Sequence, residues 1–143
     1  MADLPYRYET RLKWKEEAQA GLSAQGKPDV LVGPPPEFGG GDSWWSPELL
    51  FVAAVEACFM TTFMAVAKKS KLAVLGYESR AEGTLDKTAE GLLFTEVTLR
   101  PVVKVSAQDA ERVGRLLELA KKHCLVSASL KTPVTVKSLI QEA

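Results

Sequence analysis

Residues 46–71, SPELLFVAAVEACFMTTFMAVAKKSK, decide the fold. Between Leu49 and Ala67 only Glu56, Thr61 and Thr62 interrupt an apolar run. Ser46 is a favourable N-cap, and Pro47 suits the first helical position, where no backbone donor is needed. Glu48 places negative charge at the positive end of the helix dipole, while Lys68, Lys69 and Lys71 supply cations at the other end. Phe51, Val52, Val55, Phe59, Phe63, Met64 and Val66 cover most of the circumference, so this helix is expected to be enclosed on nearly every side. Cys58 sits in its middle.

A run of this length also raises a membrane span, which needs about 20 apolar residues. Three features favour a buried helix of a soluble protein. Glu56 would lie near the bilayer centre, many of the apolar residues are only alanine, and ordinary strand and helix patterns follow. The chain of 143 residues, 46% hydrophobic and 25% charged, suits a single domain over residues 1–143. Lys plus Arg equal Asp plus Glu at 18 each, which removes the electrostatic argument for nucleic acid or an anionic membrane as partner. No apolar run follows a basic cluster at the N-terminus, so a cytoplasmic protein with reduced thiols is expected.

Upstream of the helix, Tyr8, Thr10, Leu12 and Trp14 alternate with Glu9, Arg11, Lys13 and Lys15, the pattern of a half-buried strand. Short strands through Ala20–Ala24 and Asp29–Val32 complete an antiparallel meander. Residues 33–45, GPPPEFGGGDSWW, form an irregular loop with turn or mobile character. Downstream, residues 77–85 and 92–105 read as a hairpin, with Pro101 pointing to an edge or a bulge. Ser106 and Asp109 resemble a capping box that opens a second helix, whose apolar stripe is Ala110, Val113, Leu117, Ala120 and Cys124. A last strand, Val134–Ile140, with antiparallel pairing throughout, gives an α+β class.

One amphipathic helix and a small sheet offer limited cover for the central helix. A second copy of the chain, in an obligate symmetric dimer, is the economical source of the rest. The two cysteines, Cys58 and Cys124, each fall on an apolar helix surface. Free cysteine commonly serves as a small buried hydrophobe, so spacing alone leaves a structural and a functional role both open. There is no Cys-x-x-Cys and too few nitrogen and sulfur ligands for a zinc site. His123 falls at the end of the second helix, where it cannot easily serve its neighbour Cys124.

The run SPELLFVAAVEACF resembles the N-P-E-x-L-x-x-A-x-x-x-C-F signature of the OsmC/Ohr family, the osmotically inducible and organic-hydroperoxide-resistance proteins. Cys124 with Ser127 matches the family's second element, C-x-x-S. The resemblance implies an intertwined α+β homodimer, with antiparallel sheets around a long buried helix, that reduces organic hydroperoxides. It implies Cys58 as the peroxidatic cysteine, Cys124 as the resolving one and Glu48 as the site carboxylate. No metal, flavin or other cofactor is implied. The partners are the hydroperoxide and an external dithiol that reduces a Cys58–Cys124 disulfide.

Trp44, Trp45, Phe51, Phe59 and Met60 are candidates for an apolar substrate wall; for the two phenylalanines ordinary core is the preferred reading. The same residues allow a second class of function, a noncatalytic dimer binding a small apolar molecule beneath Trp44 and Trp45. The chain departs from the family in lacking its arginine, both in the first hairpin turn and in the loop before Pro47. A buried thiol three turns from its helix start needs activation, so a cation is expected, with Arg11 as first candidate and Lys13, Lys15 and Arg80 as others. Leu125 replaces the proline many relatives carry after the resolving cysteine.

Overall fold

The structure, a computed structural model, describes residues 4–143. The chain divides into two compact units, Met1–Phe51 and Val52–Ala143. In the first, β1 (Arg11–Glu16), β2 (Gln19–Ser23) and β3 (Val30–Val32) form an antiparallel sheet in that order. Every residue of β1 is exposed, with Leu12 at 67% and Trp14 at 69%, where a half-buried strand was expected from its alternation.

The proline-glycine loop is built around one indole. Trp44 donates its Nε1 proton to the Pro34 carbonyl at 2.9 Å, and Trp45 exchanges backbone hydrogen bonds with Leu31 and Gly33. A Cβ on Gly33 would come within 2.6 Å of the Trp44 ring and one on Gly41 within 2.8 Å, so these glycines let the backbone close on the ring. The loop is therefore an ordered support for the start of α1 (Pro47–Lys69). There the Ser46 hydroxyl accepts the Leu49 N–H at 3.1 Å, the N-cap expected from sequence.

In the second unit, β4 (Gly76–Thr88) and β5 (Gly91–Val105) form a long antiparallel hairpin, followed by α2 (Ala110–His123), α3 (Leu125–Ala128), β6 (Val134–Val136) and β7 (Leu139–Glu142). Both β6 and β7 pair with β5 in parallel, where antiparallel pairing throughout was expected. The physical reason is the connection: α2 and α3 provide the long crossover that a parallel neighbour requires. Ser106 and Asp109 form no capping box to the backbone. The serine hydroxyl instead donates to the Asp109 carboxylate at 3.2 Å, and Asp109 pairs with Arg112 at 3.3 Å.

The α1 helix ends in a Schellman turn. Leu72 N–H reaches the Ala67 carbonyl at 2.8 Å and Lys71 N–H the Lys68 carbonyl at 3.1 Å, with Lys71 at φ 57. Arg112 of α2 then donates to the carbonyls of Ser70 and Lys71 at 2.9 and 3.1 Å. This clamp ties together the ends of the two helices that carry the cysteine region.

Along α1, Val55, Phe59, Phe63 and Ala67 are buried, a stripe four residues apart. Phe63 meets Tyr77 with ring centroids 5.9 Å apart, and Ser79 donates a hydrogen bond to Glu56. Val52 lies against Gly83, where a Cβ would come within 2.6 Å of the valine methyl and 2.9 Å of Phe94. Gly83→Ala is accordingly expected to cost about 1–3 kcal/mol through overpacking. A urea midpoint equal to that of the parent would refute this packing. The helix is long and apolar enough to cross a membrane, with mean hydropathy 2.1, yet only 17% of that apolar stretch is buried within the chain. Full enclosure, the expectation from its sequence, is not supplied by the chain alone.

Candidate active site

Cys58 occupies the centre of α1 and is partly exposed; Cys124 is fully buried, and both are free thiols. Sequence periodicity carried Cys124 onto the stripe of α2. In the structure α2 stops at His123, and Cys124 has extended backbone, φ −67 and ψ 111, as the residue preceding α3. This break sets Leu125 and Val126 at the start of α3. The Val126 amide, the Cys124 side chain and the Leu125 amide favour the charged form of the Cys58 thiol, which lies 3.9 Å from the Thr62 hydroxyl. Cys124 in turn accepts a hydrogen bond from the Ser127 hydroxyl at 3.3 Å.

The electrostatic balance follows from these partners. Burial pushes the Cys58 thiol up, but the Val126 amide, the Cys124 side chain, Thr62 and the Leu125 amide together outweigh it and leave the thiol below its ordinary value. The first N–H groups of a helix have no intrahelical acceptor, so a thiolate satisfies donors that would otherwise be idle. The sequence leads to the expectation of a side-chain cation for this task, whereas two of the groups that lower the thiol are backbone amides. The only signal for them was the short Cys-Leu-Val-Ser stretch after the basic end of α2, which a 3.6-residue period conceals. Leu125 takes on significance here, since proline at that position would have no N–H to offer.

The other candidates are distributed between the two units. Glu48 lies in the first turn of α1, where it lines a hollow of about 400 Å³ with Leu12, Val32, Pro34, Pro35 and Phe38. Its Oε1 is buried and has no hydrogen-bond partner among the described residues. A carboxylate oxygen left so costs roughly 1–3 kcal/mol or more, so a further donor would stabilise it. Trp44 is the indole that orders the loop, Trp45 is 46% exposed, and Phe51 is half-buried. In the second unit Phe59 is a core residue at 1% exposure. Met60 lines a shallow hollow of about 340 Å³ with Glu56, Ala57 and Tyr77. Arg11 is exposed on β1 and 3.5 Å from Glu9, while Lys13, Lys15 and Arg80 are also exposed.

Tyr77 reports on the Met60 hollow. Burial, aided by the nearby Glu56 carboxylate, pushes its phenol up to about 12. A raised phenol holds its proton more tightly folded than unfolded, so its contribution to stability is complete below about pH 10 and is lost as pH rises through about 12. The phenolate absorbance step missing from Tyr77→Phe should centre near pH 12 and move down in Glu56→Gln. A step at the ordinary tyrosine position would contradict this environment.

Comparison with known proteins bears on the family and the fold. The OsmC-like protein family model matches residues 39–138. The peroxiredoxin OsmC of Escherichia coli is 29% identical over 96 residues, 67% of each chain. Among solved structures, an OsmC-like protein of unknown function from Vibrio cholerae superposes with a TM-score of 0.86 at 23% identity, covering 94% of this chain and 100% of the other. An organic hydroperoxide resistance protein from Elizabethkingia anophelis gives 0.75 at 21% identity, covering 99% and 100%. These two share the fold. The family match takes in the whole of α1 and both cysteines, and the chain belongs to the OsmC-like protein family.

Proposed function

We propose that the protein is a thiol peroxidase that reduces organic hydroperoxides to alcohols. The observation that carries this reading is the Cys58 thiol, lowered by two backbone amides and adjacent to a second thiol. The Cys58 thiolate attacks the distal oxygen of the peroxide, the O–O bond breaks, and the alkoxide leaves as alcohol after taking up a proton. Cys58 is then a sulfenic acid. Cys124 attacks its sulfur, a disulfide forms and water leaves; a dithiol of the cell returns both cysteines to thiols by exchange. The name of the Escherichia coli relative, a peroxiredoxin, supports this chemistry. The organic substrate is supported by the name of the Elizabethkingia anophelis protein.

The working form in this reading is a homodimer in the cytoplasm. Its support is the apolar surface of α1 that the chain leaves open, Ala54, Ala57 and Ala65 among it, together with the uncovered face of β1. Glu48 belongs to the site in this proposal, its orphaned oxygen taking a donor from the partner copy or from the substrate. Trp44, Trp45, Phe51, Phe59 and Met60 are proposed to shape the apolar surroundings, Phe59 from within the core. Arg11 is retained as a cation that a partner copy could present. Residues 1–143 act in this reading as one OsmC-like domain, supported by a family match that runs across the boundary between the two units.

Mass spectrometry after one equivalent of an organic hydroperoxide tests the chemistry. The wild-type protein should lose two hydrogens and both free thiols. Cys124→Ser should instead gain one oxygen on Cys58. Thiols unchanged after prolonged exposure would sink the reading and favour a noncatalytic apolar-ligand protein, whose binding would survive Cys58→Ser.

A further inference from the structure

The sheet of β4 and β5 has a second face that the thiol chemistry does not use. Tyr77 and Ser79 meet Phe63 and Glu56 of α1. Alternation then turns Glu78, Arg80 and Glu82 to the opposite side. On that side Arg80 stands directly across from Arg100. The strands β6 and β7 keep one register along β5, with Leu99 beside Val136 and Val102 beside Leu139, which sets Lys137 beside Arg100. Three cations thus stand in a row, two on the neighbouring strands β4 and β5 and the third in the gap between β6 and β7. Strands lie about 4.8 Å apart, so the row spans on the order of 10 Å.

The chain opens a space at the same place. Pro101 has no N–H to give the edge strand, and the ladder breaks there, between Val136 and Leu139. A hollow of about 390 Å³ lies at the break, lined by the three cations together with Pro101, Val102 and Leu139, and with Glu78. Like charges set directly opposite each other destabilise a sheet, and the compensation here is thin. Glu82 reaches Arg100 only at 3.9 Å and is 72% exposed, while among the described residues Arg80 and Lys137 form no ion pair.

We propose that this hollow binds an oxyanion with an apolar body, of the class of a medium-chain carboxylate. The head group takes donors from the Arg80 and Arg100 guanidinium groups and from Lys137, and the alkyl chain lies over Val102 and Leu139. Guanidinium forks suit such a head group because they donate in parallel pairs. The proposal stands independently of the peroxidase reading.

The test is an NMR titration of the full chain with octanoate, alongside octanol and inorganic phosphate. Octanoate should give saturable shifts at the amides of Arg100, Val102 and Ser138, weakening with added salt. Arg100→Gln should lower the affinity at least about tenfold, the scale of one lost charged hydrogen bond, and Lys137→Gln by several-fold. Without ligand, Arg100→Gln should melt no lower than the parent, because it relieves the row. The proposal is overturned by the absence of saturable shifts, by shifts confined elsewhere, or by equal affinity for octanol or for phosphate. Undiminished binding to folded Arg100→Gln would overturn it as well.

Discussion

Cys58→Ser is expected to abolish hydroperoxide consumption, a loss on the order of a thousandfold or more, because a serine hydroxyl at that position has no base to activate it. The size of the effect follows from the site. Two amides, Thr62 and Cys124 favour negative charge on sulfur, and they cannot bring a hydroxyl within reach of ionisation near neutral pH. The pH profile provides a second handle. In the parent protein the rate of alkylation of Cys58 should rise with a midpoint below that of an ordinary thiol, and Leu125→Pro, which removes one donor, should move the midpoint up. The linked stability has the sign of a depressed acid: the Cys58 contribution is present above the unfolded thiol value and is lost as pH falls through the lowered one. Substantial turnover by Cys58→Ser would end the peroxidase proposal.

Phe63→Ala should destabilise the fold by about 3–5 kcal/mol, the range for removing a large aromatic from a closed core. Phe63 has no exposed surface, and it packs against Tyr77 on β4. Its neighbours on the stripe, Phe59 and Ala67, are held by the same helix, so the cavity has little room to collapse. Urea unfolding at matched protein concentration checks this, since the proposed dimer would make the midpoint depend on concentration. A fall below about 1 kcal/mol would mean that the helix does not rest on the sheet through this ring.

The N-terminus of α1 was legible because its signals are local: a serine, a proline and a glutamate in successive positions dictate how a helix begins. The hairpin was legible from its alternation. The direction of β6 and β7 was not, because the same alternating residues suit a parallel or an antiparallel neighbour, and only the crossover through α2 and α3 distinguishes them. Pro101 announced an irregularity. Where it fell depended on the strand beside it, and the gap it leaves lies between β6 and β7.

By itself, then, the sequence determined that a long apolar helix carries a central cysteine and that the class is α+β, while it set the second cysteine on the stripe of α2, which in the structure ends one residue before it. These depend on short-range propensity and periodicity. The tertiary structure alone decided what lowers the Cys58 thiol. A side-chain cation would have been visible in the residue types, whereas backbone amides are present at nearly every position. Their influence on the thiol arises with α2 stopping at His123 and Leu125 and Val126 opening α3 after the extended Cys124.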